Sequence, residues 1–470
     1  MNRLSSARIP KLSARWYSHH SLPTAPSKKY AEPTHKFAQS LQTKSFLQNC
    51  SQYLLPVYIR PDFIVSHGKG SYLWDTEGNK FLDFSAGIAV NALGHADDGV
   101  IKVLTEQSGK VLHTSNVYHH QWAAKLAELI VSLTQKEGGL GYATDSALEP
   151  SAKVFFANSG TEANEGALKI ARKVGKDRWS TQTGIPWESD PTRCTKTRIA
   201  CFENSFHGRS MGAISVTINA KYQQPFAPLI PGIDVGKLND LATIDQIVTQ
   251  DTCAVIVEPI QGEGGIHVAD TNWLRALRRR CDQVGAVLIF DEIQCGLYRS
   301  GTLWAHSALP TDCHPDIVTM AKPLANGYPI GAVLMRDNIA AAMSAGTHGT
   351  TFGGSPLACA IGHHVLSRVS EPSFIQHMKE TGGYLRERLE LLPKWFPEIL
   401  EERVRGRGLI LGLGFKNTQH PALVVDMARE RGVFVLTAGK DAVRIVPSLN
   451  IGKEEVDLAV DVLESSIGRI

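Results

Sequence analysis

Between residues 153 and 335 the chain repeatedly runs apolar for four or five positions, stops at a polar or glycine-rich cluster, and then turns amphipathic. The runs at 153–157, 198–202, 253–257, 286–290 and 317–321 lack a regular alternation of apolar and polar positions, the pattern of strands covered on both faces. Stretches between them, such as 273–284, repeat their apolar positions at helical spacing. Strand and helix in turn predict an α/β fold with a mainly parallel central sheet.

Ahead of this core, 37–58 is weakly helical up to Pro56, and 63–84 reads as a small antiparallel meander with a Gly-Asn turn. Helices are predicted over 96–112 and 121–133, separated where Thr114-Ser-Asn-Val-Tyr118 breaks the periodicity, and a helix opening after Asn158 runs through Lys173. Beyond the core, helices over 355–370 and 374–392, strands near 408–415, 433–436 and 443–446, and a last helix from Glu454 form a smaller α+β unit. Segments 136–150 and 180–196, rich in Gly, Ser, Thr and Pro, read as surface insertions. The expected organisation is a leader over 1–35, a segment 36–95 that joins the small domain, a large domain over 96–346 and a small domain over 347–470.

The polar residues that end the apolar runs carry the chemistry. Lys322 closes the run 317–321, and a lysine there is costly to keep charged, so it pairs, lowers its pKa or becomes a Schiff base. Asp291 follows the run 286–290, at the carboxyl end of a strand, where ligands of open α/β sheets sit. After 153–157 comes Asn158-Ser-Gly-Thr-Glu-Ala-Asn-Glu165, small residues with free backbone N–H groups at a helix start, which is a phosphate site. A lysine for an aldehyde, a carboxylate for a ring nitrogen and a helix start for a phosphate describe a pocket for pyridoxal 5′-phosphate. Phe206 and Arg209, in the loop after 198–202, can stack on a flat ring and hold a carboxylate. Glu263 is the acid of Glu258-Pro-Ile-Gln-Gly-Glu-Gly-Gly265 expected to point inward. The hydroxyl-rich loop Thr347-His-Gly-Thr-Thr-Phe-Gly-Gly354 suits phosphate contact.

Composition narrows the picture. A net charge of +3 over 470 residues argues against a nucleic-acid binder, and no apolar run approaches the length of a membrane span. Eight cysteines without paired spacing give neither a disulfide framework nor a zinc site. His119 and His120 are adjacent, project differently and read as surface residues. Arg278-Arg-Arg280 reads as a solvated helix face. Residues 1–35 carry Arg3, Arg8, Lys11, Arg15, Lys28 and Lys29 among many serines and no acid before Glu32, the pattern of a mitochondrial transit peptide. No G-x-G-x-x-G opens a βαβ unit, which sets aside a nicotinamide enzyme.

From about residue 54 onward the chain resembles the class III, pyridoxal phosphate-dependent aminotransferases, most of all those that use acetylornithine. The motifs that carry the resemblance are Asn158-Ser-Gly-Thr-Glu-Ala-Asn-Glu165, Phe206-His-Gly-Arg209, Glu258-Pro-Ile-Gln-Gly-Glu-Gly-Gly265, Asp291-Glu-Ile-Gln-Cys-Gly296 and Gly349-Thr-Thr-Phe-Gly-Gly354. The resemblance implies fold-type I, with Lys322 holding the cofactor and moving the proton, and Asp291 keeping the ring nitrogen protonated. It implies that Gln294 bonds the phenolic oxygen, Phe206 stacks on the ring, and the backbone of Gly160 and Thr161 takes the phosphate. Arg209 would take the carboxylate of acetylornithine, and Arg444 the α-carboxylate of glutamate once Glu263 releases it. Thr351 would reach the phosphate, and Thr350 the substrate, from the neighbouring subunit of a homodimer. The implied reaction exchanges the δ-amino group between N2-acetylornithine and 2-oxoglutarate in the mitochondrial matrix, with ornithine or 4-aminobutyrate as the nearest alternative donors. Two stretches depart from the family pattern: Ala96-Asp-Asp-Gly99, where relatives carry proline, and Pro323-Leu-Ala-Asn326, where a glycine-rich run is common.

Overall fold

The computed structural model describes residues 22–35, 39–146 and 151–470. Strands β1 (Val65–Lys69), β2 (Tyr72–Asp75) and β3 (Lys80–Asp83) form the predicted meander, behind a helix Leu41–Tyr53. The central strands are β4 (Ala152–Ala157), β5 (Arg198–Phe202), β6 (Ile233–Gly236) and β7 (Thr252–Val257), then the short pair β8 (Ile260–Gln261) and β9 (His267–Val268), then β10 (Val287–Asp291), β11 (Ile317–Met320) and β12 (Gly331–Arg336). The C-terminal strands are β13 (Arg405–Arg407), β14 (Ile410–Gly414), β15 (Val433–Phe434), β16 (Leu436–Ala438) and β17 (Ala442–Ile445).

The large sheet has the order β4-β12-β11-β10-β7-β5-β6. Every neighbouring pair in it is parallel except those of β12, which runs against both β11 and β4. The unbroken apolar runs are explained by what covers them. Val287 and Ile289 point to the face packed by Ala163, Ala167, Ile170 and Val174 of the helix Gly160–Thr183. Leu288 and Phe290 point to the other face, against Trp273, Leu274, Leu277 and Cys281 of the helix Thr271–Val284. Successive strand residues alternate faces, so two covered faces require apolar residues at every position. Deleting one buried side chain such as Leu277 costs about 2–5 kcal/mol, transfer and cavity together.

β15 pairs in parallel with β3, so the segment before residue 95 and the C-terminal region share one sheet, while β13-β14-β17-β16 form another. Residues 27–35, inside the segment expected to be a leader, lie against this unit. Arg431 donates to the carbonyls of Tyr30 and Ala31, the amides of Thr34 and His35 donate to the Glu430 carbonyl, and the His35 ring sits 4.8 Å from that of Phe81. The first 21 residues lie outside the described residues.

Several expectations need adjustment. The helix from Gly160 runs to Thr183, ten positions past Lys173, because Trp187 folds back on it through Asp177 and the 180–196 segment begins as helix. Arg278 is not on a solvated face. It is buried and ion-paired with Asp316 and Asp282, tying its helix to the start of β11. His119 is exposed, and His120 donates to the Gly354 carbonyl. No cluster of metal-ligating side chains occurs among the described residues, and none of their helices is long and apolar enough to cross a membrane.

The two departures from the family pattern are both accommodated. Asn326 takes the left-handed conformation at φ 47°, where asparagine is tolerated, and its side chain bonds Leu93 N and Gly94 O, fastening the 91–95 loop to the Lys322 turn. Asp97 caps the helix Asp98–Ser108 through Val100 N and pairs with Arg368.

Candidate active site

A cavity of about 270 Å³ opens at the carboxyl ends of the parallel strands, lined by Ser159, Gly160, Thr161, Phe206, His207, Gly208, Arg209, Ile293, Gln294 and Lys322. Four of the predicted motifs, from β4, β5, β10 and β11, therefore converge on one space. They do so because each follows an apolar run, and the parallel order places those ends side by side.

Asp291, 3% exposed, stands between two of the lining residues. Its Oδ1 accepts from Ile293 N at 3.0 Å, and its Oδ2 accepts from His207 Nδ1 and Asn164 Nδ2, both at 2.8 Å. Asn164 is held in turn by Thr319 Oγ1 at 2.7 Å and donates to the His207 carbonyl. Three donors orient the carboxylate. At the opposite end, Ser159 caps the helix Gly160–Thr183 by accepting from Glu162 N, while the Glu162 side chain accepts from Asn158 N. That reciprocal arrangement leaves the first amides of the helix, at its positive dipole end, for an anion. The Thr161 hydroxyl accepts from Arg209 N and Ser210 N, pulling the Phe206–Arg209 loop against the helix start. Gly208, at φ 138°, is required for that close approach, since a Cβ there would strike Thr161.

Lys322 begins the turn after β11 and reaches the cavity. Burial pushes its pKa down to about 8, helped by the positive charge of Arg444 and opposed by Asp291, Glu258 and Glu263. Gln294 accepts from Arg444 Nη1 at 3.0 Å through its Oε1, which leaves its amide donors for the cavity. A Cβ at Gly262 would strike that same Oε1, so only glycine fits beneath it. Glu258, whose carboxyl burial pushes upward, accepts from Phe206 N at 2.8 Å and Gly262 N at 3.0 Å, holding together the two loops that carry Phe206 and Glu263.

Two cations stand in opposite states, Arg209 lining the cavity and Arg444 behind the lining residue Gln294. Arg209 is exposed, and its guanidinium lies 3.5 Å over the ring of Tyr222 and 5.6 Å from that of Phe206. Arg444, on β17, is 3% exposed and pairs with Glu263 at 3.0 Å, with a further bond to the Gly262 carbonyl. Burial lowers its pKa, and Glu263 counters that.

Thr350 and Thr351 do not line the cavity of their own chain. Thr350 accepts from Asn158 Nδ2 at 3.0 Å, Thr351 is exposed, and Phe352 is 63% exposed. His207, Asn164, Glu258 and Tyr222 belong to the site without having been singled out in the sequence. For Asn164 a signal existed, since it falls one helical turn after Gly160 and so shares its face. For Tyr222 there was none.

The residues present fit pyridoxal 5′-phosphate: an amine, an oriented buried carboxylate and an anion-receiving helix start surround a space that Phe206 closes from one side. The profile of the family described as aminotransferase class-III matches residues 57–467. The mitochondrial acetylornithine aminotransferase of Yarrowia lipolytica is 48% identical over 432 residues, 92% of this chain and 98% of that protein. That of Neurospora crassa is 46% identical over 414 residues, 88% and 85% of the two chains. Among solved structures, N-acetylornithine aminotransferase from Stenotrophomonas maltophilia is 33% identical with a TM-score of 0.71, covering 90% of this chain and 98% of its own. The ornithine aminotransferase of Toxoplasma gondii is 29% identical with a TM-score of 0.79, covering 91% and 95%.

Proposed function

Because the chain belongs to the class-III aminotransferase family, we propose that it uses pyridoxal 5′-phosphate to exchange the δ-amino group between N2-acetylornithine and 2-oxoglutarate, in mitochondria. When bound, the cofactor supplies an aldehyde that condenses with amines and a ring that accepts the electron pair of the broken C–H bond. Asp291 would hold a proton on the ring nitrogen, and His207 and Asn164 fix its direction. The first amides of the helix Gly160–Thr183 would take the phosphate, Gln294 would donate to the phenolic oxygen, and Phe206 would cover one face. Lys322 Nζ would hold the aldehyde carbon and, once displaced by the substrate amine, would be the base that takes the proton from the amine-bearing carbon of the donor and returns one to the acceptor. Burial, with the charge of Arg444, pushes the pKa of the free amine down to about 8, so that part of it is neutral near neutral pH.

The observation that carries the substrate assignment is the opposite state of the two arginines. Acetylornithine presents one carboxylate away from its reacting amine, and Arg209, which pairs with no carboxylate among the described residues, takes it bidentately. Glutamate must present two. Its side-chain carboxylate uses Arg209, while its α-carboxylate uses Arg444 after Glu263 swings aside. With Glu263 in place, acetylornithine finds one cation and one productive pose.

The apolar patch formed by Leu112, Val117, Tyr118 and Phe352 is exposed, and the Asn116 bond to the Thr350 carbonyl and the His113–Phe352 ring contact join its two parts. A second copy of the chain covers it in our reading, which brings Thr350 and Thr351 to the partner's site. Side-by-side assays with acetylornithine, ornithine and 4-aminobutyrate, each with 2-oxoglutarate, test the assignment. We expect the highest kcat/KM with acetylornithine, and a higher value for either other donor would overturn it.

A further inference from the structure

Tyr222 lies outside every motif that pointed to the site, on the four-residue helix Ala220–Gln223. That helix is fastened from both sides. Asn219 caps it through Lys221 N, and Gln223 Nε2 donates to the Ile214 carbonyl at 3.0 Å. The ring of Tyr222 supports the Arg209 guanidinium at 3.5 Å and meets the Phe206 ring edge-on at 6.1 Å. Its hydroxyl donates to Glu263 Oε1 at 3.3 Å, and the other oxygen of the same carboxylate holds Arg444 at 3.0 Å. One side chain therefore touches the free substrate cation, the ring over the cofactor space and the carboxylate that occupies the second cation.

Each contact has a distinct physical consequence. An aromatic face attracts a guanidinium without neutralising it, so Arg209 is positioned yet stays available for a carboxylate. A carboxylate that leaves Arg444 needs another donor, because a half-buried charge with none is strongly disfavoured. Tyr222 offers that donor from the side away from Arg444. Burial, with the charge of Glu263, raises the pKa of the phenol, which keeps it protonated and donating.

We propose that Tyr222 is a positioning residue that holds Glu263 when it releases Arg444 and holds Arg209 ready in both halves of the reaction, so that its hydroxyl favours glutamate and its ring serves both substrates. This inference rests on the substrate assignment above. Tyr222→Phe keeps the ring and removes the hydroxyl, while Tyr222→Leu removes both.

Single-turnover absorbance changes of the cofactor-loaded enzyme, read separately with glutamate and with acetylornithine, test it. Tyr222→Phe should slow the glutamate half-reaction about tenfold and leave the acetylornithine half-reaction within about twofold, the value of one hydrogen bond to a charged acceptor. Equal changes in the two, or a larger loss with acetylornithine, overturn the inference. Tyr222→Leu should in addition weaken apparent binding of both substrates several-fold, and unchanged binding would remove the ring from the account. In a Glu263→Ala background Tyr222→Phe should have no further effect on the glutamate half-reaction, because the hydroxyl has no carboxylate left to hold.

Calorimetric titration with glutarate and valerate gives a readout free of turnover. Tyr222→Phe should weaken glutarate, which needs both arginines, about tenfold and leave valerate unchanged; equal effects overturn the inference. Failure of the substrate assignment shows differently: wild-type enzyme would give no absorbance change with acetylornithine, while the glutarate and valerate comparison would still report on Tyr222.

Discussion

Replacing Glu263 by alanine leaves Arg444 without its carboxylate partner, and the structure sets how much that matters. The paired groups approach to 3.0 Å, and unit charges about 4 Å apart attract by about 4 kcal/mol at an effective dielectric of about 20. The Glu263 side chain is 33% exposed, so solvent screening reduces the usable part to about 1–2 kcal/mol, a factor of about 5–30. That energy normally keeps the carboxylate of acetylornithine off Arg444. Without it the substrate divides between two cations, and the acetylornithine half-reaction should fall about 5–30-fold. Glutamate, which wants Arg444 free, should react within about twofold of the wild-type rate, and ornithine should begin to react through its α-amino group. Stopped-flow absorbance of each half-reaction under single-turnover conditions measures both numbers. Equal losses in the two would refute the reasoning and reduce the Glu263–Arg444 pair to a structural ion pair.

Lys322→Ala should abolish turnover and the visible absorbance of the loaded enzyme while the thermal transition stays in place, because the change removes a covalent contact and not a core side chain; near wild-type turnover would sink the mechanism. The rate at which cofactor-free protein captures pyridoxal 5′-phosphate should rise with pH through a midpoint near 8, since only the neutral amine reacts. Burial is the main cause of that low value, but the charge of Arg444 contributes, so Arg444→Gln should move the midpoint upward, and a downward move would contradict the assignment of causes. Asp291→Asn keeps the shape but cannot hold a proton on the ring nitrogen, and kcat should drop about 10³-fold, ~4 kcal/mol, in a steady-state assay. A chain beginning at residue 22 should melt with the full chain, whereas one beginning at 39 should lose about 2–4 kcal/mol in denaturant titration, because buried Arg431 loses the carbonyls of Tyr30 and Ala31.

Much of this site could be read directly from residue order. Lys322, Asp291, Phe206 and the Gly160–Thr161 helix start each follow a short apolar run, and in a parallel sheet the ends of such runs must meet at one edge, so local pattern alone brings them together. The direction of β12 was not legible, because an apolar run is the same in a parallel and an antiparallel strand. The burial of Arg278 was hidden for a related reason: helical spacing tells which residues share a face, not that Asp316 waits opposite. The orientation of Asp291 depends on Asn164, His207 and Thr319, which approach from three different elements. Most of all, Tyr222 and Glu263 are 41 positions apart, and nothing in the spacing of either predicts that a phenol and a carboxylate would meet between two arginines. Periodicity and strand ends are properties of neighbours along the chain, so residue order is enough to specify them. Which side chains share a hydrogen bond or an ion pair depends on angles and distances between elements far apart in the chain, which are set when those elements pack.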